Sequence, residues 1–67
     1  MKKSTFARRL KALREQSDLT QSELCRLAKI HPSMISRYES GTKEPSFKTL
    51  VKLAAAFEVS AAYLMGY

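Results

Sequence analysis

Ser33, Ser36, Arg37 and Ser40 stand close together in the stretch PSMISRYES, residues 32–40. On a helix at 100° per residue these four fall on one side, and Ile35, Tyr38 and Glu39 fall on the other. A face of small hydroxyls and one guanidinium can do hydrogen bonding at close range. Arginine can give two hydrogen bonds to O6 and N7 of guanine, and serines can meet base edges or phosphates. Met34, on the flank, can touch a thymine methyl or pack at the helix edge. The same spacing also describes an ordinary amphipathic helix with a solvated outer face.

No other constellation competes with this one. The chain has no carboxylate pair in a pocket-forming context, no Ser/His/Asp set and no phosphate-cradling glycine loop. Cys25 is the one cysteine and His31 the one histidine. That excludes an internal disulfide and a cysteine- or histidine-rich metal cluster. The expectation is no enzyme, no metal, no cofactor and no small-molecule ligand.

Charge points outward to a partner. Twelve Lys+Arg against 6 Asp+Glu give a net charge of +6 and a pI of about 9.8. Such a bias favours a polyanion, nucleic acid first and an anionic membrane second, although a merely solubilising surface has the same charge. No apolar run approaches the roughly 20 residues of a membrane span. The start MKKSTFARRL is basic but lacks the apolar stretch of a signal peptide. A cytoplasmic protein is expected, with no membrane partner.

The elements that must position these residues are short helices. Helix one runs from about Ser4 to Gln16, with Phe6, Leu10 and Leu13 on one face. Thr20-x-x-Glu23 is a capping box, in which hydroxyl and carboxylate each reach the other's backbone amide. Helix two then spans about 20–29, with Leu24, Leu27 and Ala28 apolar. Pro32 suits the first position of helix three, about 32–40, which makes His31 its cap, a poor residue for that task. Gly41 is a natural left-handed terminator. Ser46 can cap helix four, with Leu50, Leu53, Ala54 and Phe57 on one face, and Ser60 can cap a last short helix holding Leu64. The expected fold is all-α: one domain over 1–67, a compact five-helix bundle. Its core is expected to bury Leu10, Leu13, Leu24, Ala28, Ile35, Leu50, Leu53, Phe57 and Leu64.

The runs LTQSELCRLAKIHPSMISRYESG and EPSFKTLVKLAAAFEVSAAYLMG resemble the lambda-repressor-like helix-turn-helix family, the Xre and Cro type of phage and bacterial regulators. The match extends from about Phe6 to Gly66. It includes Thr-Gln at the start of helix two, a small residue at Cys25, Ile30 after the turn and Ile35 inside helix three. The resemblance implies that helix three lies in the major groove of double-stranded DNA and that helix two braces across it. It implies that Gln21 binds a phosphate and props helix three, that Thr42 and Lys43 contact the DNA backbone, and that Arg14 and Glu39 form a structural ion pair. The DNA-binding set is then Gln21, His31, Ser33, Met34, Ser36, Arg37, Thr42 and Lys43. His31 stands in place of the usual serine or threonine and can donate to a phosphate. Lys29 stands where glycine is usual, a costly choice if that residue must be left-handed. Pro32 removes a donor at a position where the family often reads a base. Cys25 is expected to be a small core residue.

The implied function is a sequence-specific transcriptional regulator, a repressor bound to a two-fold operator as a homodimer. Tyr63, Met65 and Tyr67 form the expected pairing patch, the alternative being that they only cover the bottom of helices one and four. A DNA-binding antitoxin and a pure protein-interaction module would share the fold. Co-purification of a small partner would mark the first, and DNA affinity without salt dependence the second.

Overall fold

The computed structural model describes residues 4–66, and Tyr67 lies outside the described residues. Five helices follow one another: α1 Thr5–Gln16, α2 Gln21–Ala28, α3 Pro32–Ser40, α4 Phe47–Ala56 and α5 Ala61–Met65. α1 packs on α3 and α5, α2 on α3 and α4, and α4 on α5.

Every helix starts at a side chain that accepts a free backbone amide. Ser4, Thr20, Ser46 and Ser60 do so through their hydroxyls. The capping box closes fully: Glu23 N–H reaches Thr20 Oγ1 at 3.1 Å, and Thr20 N–H reaches Glu23 Oε1 at 2.8 Å. That backbone bond holds the Glu23 carboxyl below its ordinary pKa. His31 caps α3 as its place before Pro32 predicts, its Nδ1 accepting the Ser33 N–H at 3.2 Å, although imidazole is a poor capping group.

The helix ends share one device. A left-handed residue follows each of them: Asp18, Lys29, Gly41, Glu58 and Gly66. At the first four, the next amide turns back to a carbonyl five residues earlier, as in Leu19 N–H to Arg14 O and Ile30 N–H to Cys25 O. This is the Schellman arrangement, and it satisfies carbonyls the helix leaves open. The apolar residues just beyond, Leu19, Ile30 and Val59, pack against the core. Each stop thereby aims the chain inward, which is how such short helices are held at fixed angles.

Lys29 is left-handed, at φ 57 and ψ 50. A side chain there costs about 1–2 kcal/mol, while glycine would give back roughly 0.5–1 kcal/mol in unfolded-state entropy. Lys29→Gly should therefore raise stability by roughly 0.5–1 kcal/mol in urea unfolding. A loss of stability would mean that the lysine makes contacts outweighing its strain.

Leu10, Leu24, Ala28, Ile35, Leu50, Leu53 and Leu64 are buried in one cluster, joined by Phe6, Cys25, Tyr38 and Ala54. Phe6 and Tyr38 meet edge to face, ring centroids 6.0 Å apart. Two residues expected in this set are only partly buried, Leu13 and Phe57. Leu13 lies in the last turn of α1 and Phe57 is the C-cap of α4, so both sit at the rim of the core. Among the described residues, no helix is long and apolar enough to cross a membrane.

Candidate nucleic-acid interface

α3 is divided lengthwise. Ile35, Tyr38 and Glu39 are buried; Ser33, Ser36, Arg37 and Ser40 are exposed. The division is the one that helical geometry predicts. Met34 is half-buried and packs against the core, so its side chain is shared between the two sides.

The inner side holds the helix rigidly. Glu39 is only 4% exposed. Arg14 reaches it from α1 with two bonds, Nε to Oε2 at 2.6 Å and Nη2 to Oε1 at 3.0 Å. A third bond, Nη1 to the Leu19 carbonyl at 2.9 Å, ties the same guanidinium to the loop before α2. The Glu39 bonds raise the Arg14 pKa above its ordinary value. Gln21, at the first position of α2, donates from Nε2 to Glu39 Oε1 at 3.2 Å. One buried carboxylate thus receives α1 and α2 together and sets the angle of α3 against both. Gln21 thus touches α3 from α2, with part of its amide already engaged.

A polar cleft of about 260 Å³ opens beside this network, lined by Lys11, Arg14, Gln21, Ser36, Glu39 and Ser40. Lys11 was not among the residues expected at the site. It lies one helical turn before Arg14, and that i, i+3 relation to a residue braced against α3 is the signal that could have found it. A larger cleft, about 450 Å³, lies between α2 and α4 and takes no lining residue from α3.

The far end of α3 is tied down from within. The Arg37 carbonyl accepts the Thr42 N–H at 3.1 Å, the Ser40 hydroxyl at 3.0 Å and the Thr42 hydroxyl at 3.3 Å. Ser40 Oγ and Thr42 Oγ1 are 3.0 Å apart. Both donors of Thr42 have partners inside the chain, so it closes the helix end, and exposed Lys43 is the cation left at the loop. Arg37 itself is exposed in the last turn.

Cys25 is buried, and burial pushes its thiol up from the ordinary value. A thiol kept protonated and covered is a poor nucleophile. It fills space in the core beneath the His31 carbonyl, 3.9 Å away.

On α5, Tyr63 and Met65 are exposed. Tyr63 is not an idle patch residue: the Arg9 guanidinium lies 4.4 Å from its ring centroid and bonds its carbonyl at 2.6 Å. More exposed apolar surface lies elsewhere, at Phe47 (77%) and Leu27 (55%).

A rigidly braced helix with a small-polar outer side, following a second helix after a tight left-handed turn, defines a helix-turn-helix. The helix-turn-helix family model matches residues 10–64. The chain belongs to that family, the lambda-repressor-like transcriptional regulators of Xre type. It is 35% identical over 60 residues to the HTH-type transcriptional regulator YqaE of Bacillus subtilis, covering 90% of this chain and 52% of that protein. It is 36% identical over 61 residues to the antitoxin PezA of Streptococcus pneumoniae, covering 91% of this chain and 39% of that protein. The chain thus spans about half the length, or less, of these relatives. In structure it resembles the restriction-modification controller protein C.AhdI of Aeromonas hydrophila, with a TM-score of 0.84 at 30% identity, covering 90% and 91% of the two chains.

Proposed function

We propose that the chain is a sequence-specific repressor that binds double-stranded DNA as a homodimer, each copy laying the outer side of α3 in the major groove. The observation that carries this reading is the braced division of α3. Its inner side is locked through Glu39 to Arg14 and Gln21, while Ser33, Ser36 and Arg37 face outward. Arg37 is the base reader, suited to guanine. Lys43, Lys11 and His31 are the phosphate contacts, and the net charge of +6 supplies the attraction. Gln21 braces α3 and shares its remaining amide hydrogen with a phosphate.

One such helix meets only a few base pairs, so a genomic site calls for two copies on half-sites about one helical turn, ~34 Å, apart. Tyr63 and Met65 are the proposed pairing residues; Tyr67 would extend them. Selection from a random DNA pool should return an inverted repeat. Tyr63→Lys with Met65→Lys should then reduce full-site binding towards that of a half-site, by roughly tenfold or more. Retained preference for the full site in a folded double variant would move the pairing surface elsewhere, with exposed Phe47 the next residue to examine.

The likeness to PezA supports a second reading, a DNA-binding antitoxin. Co-purification of a small, tightly bound protein partner from the native host would favour it.

A further inference from the structure

The N-terminus of α3 carries two side chains that bond to one another. His31 Nδ1 accepts the Ser33 backbone N–H at 3.2 Å and lies 2.8 Å from Ser33 Oγ. A nitrogen that accepts an N–H carries no proton of its own, so the tautomer that makes this contact has its imidazole proton on Nε2. Beside a bare nitrogen at 2.8 Å, the Ser33 hydroxyl has one role open to it, that of donor. A serine hydroxyl has a single hydrogen and two lone pairs. With that hydrogen turned inward to His31, Ser33 presents only lone pairs outward.

We propose that His31 sets the hydrogen-bond polarity of Ser33, making it an acceptor that reads an exocyclic amine in the major groove, adenine N6 or cytosine N4. This rests on the reading of α3 as the groove-facing helix. The major-groove amines are the donors there; guanine O6 and N7 and thymine O4 are acceptors, as are phosphate oxygens. An outward-facing acceptor is repelled by all of those. The neighbouring His31 Nε2–H is a donor, and both residues are exposed. It suits a phosphate oxygen. The two side chains therefore divide the work: His31, a positioning residue for Ser33, meets the backbone, and Ser33 meets the base.

The test deletes single groups from the DNA. An operator is first selected from a random pool with the intact chain, and the position whose preference disappears in Ser33→Ala is identified. At that base pair the amine is removed, by purine for adenine or pyrimidin-2-one for cytosine. In a separate duplex the purine N7 is replaced by carbon. Loss of the amine should weaken the intact chain roughly 3–10-fold, the size of one hydrogen bond, and leave Ser33→Ala unaffected. His31→Ala, which frees the hydroxyl to turn, should shrink that dependence on the amine. In the free protein, ¹⁵N spectra of the neutral imidazole should show Nδ1 bare and the proton on Nε2.

Dependence of Ser33 on N7 instead of the amine would overturn the proposal, as would the opposite tautomer. If Ser33→Ala altered no base preference while Arg37→Ala did, Ser33 would not be a reader and only this proposal would fall. If the intact chain enriched no sequence at all, the reading of α3 would fall with it.

Discussion

Arg14→Ala should cost the fold about 3–5 kcal/mol, the usual result of stranding one charge of a buried pair. Glu39 would be left at 4% exposure with Gln21 as its remaining side-chain partner. The Leu19 carbonyl would lose a donor as well. A chain of 67 residues has about 3–10 kcal/mol of stability in all, at roughly 0.05–0.15 kcal/mol per residue. The single variant should therefore lose roughly a third or more of its stability. Replacing both partners by apolar residues, Arg14→Met with Glu39→Leu, should recover most of the loss, because no charge is left buried. Urea unfolding of both variants checks this. A double variant as unstable as the sum of its parts would mean that the pair itself, not the stranded charge, supplies the energy. The double variant should still bind DNA less tightly than the intact chain, since the carboxylate that collects α1, α2 and α3 is gone.

Leu53→Ala is the second large effect. Leu53 has no exposure and sits in the cluster shared by all five helices. Truncation removes the transfer energy of the lost methyls and leaves a cavity, together about 2–5 kcal/mol. In a domain this small that is a fall in Tm of roughly 10 °C or more. Leu27→Ala is the control. It makes the same chemical change at 55% exposure and should stay within about 0.5 kcal/mol. Equal shifts for the two would contradict the packing.

Much of this was legible in the residues, for physical reasons that differ by element. The helix starts were readable because Thr20, Ser46 and Ser60 cap by short hydroxyls whose reach hardly depends on rotamer. Pro32 at the first helical position placed the cap at His31, but not the manner of capping, because an imidazole reaches its own helix only in one ring orientation, which no spacing reveals. Gly41 announced its left-handed turn, and the glycine usual in the family pointed to Lys29; Asp18 and Glu58 adopt the same conformation with side chains that do not advertise it. The outer side of α3 followed from the 100° rule, while the roles of Gln21, Thr42 and the Arg14–Glu39 pair came from family resemblance. Geometry then refined them, since Thr42 spends its donors at home and Lys11 joins the cleft. Exposure of Phe47 at the start of α4 had no counterpart in the pattern, because one apolar residue beside a cap can turn either way.

The most direct test of the central claim compares Arg37→Ala with Lys43→Ala on a selected operator, its mismatched derivatives and a range of salt concentrations. Arg37→Ala should cost about 1–3 kcal/mol on the operator and relax preference at one position per half-site. Lys43→Ala should weaken every sequence alike and shallow the slope of log K against log salt by about one unit. If Arg37→Ala weakened all sequences equally and Lys43→Ala erased a base preference, α3 would not be the element that reads DNA.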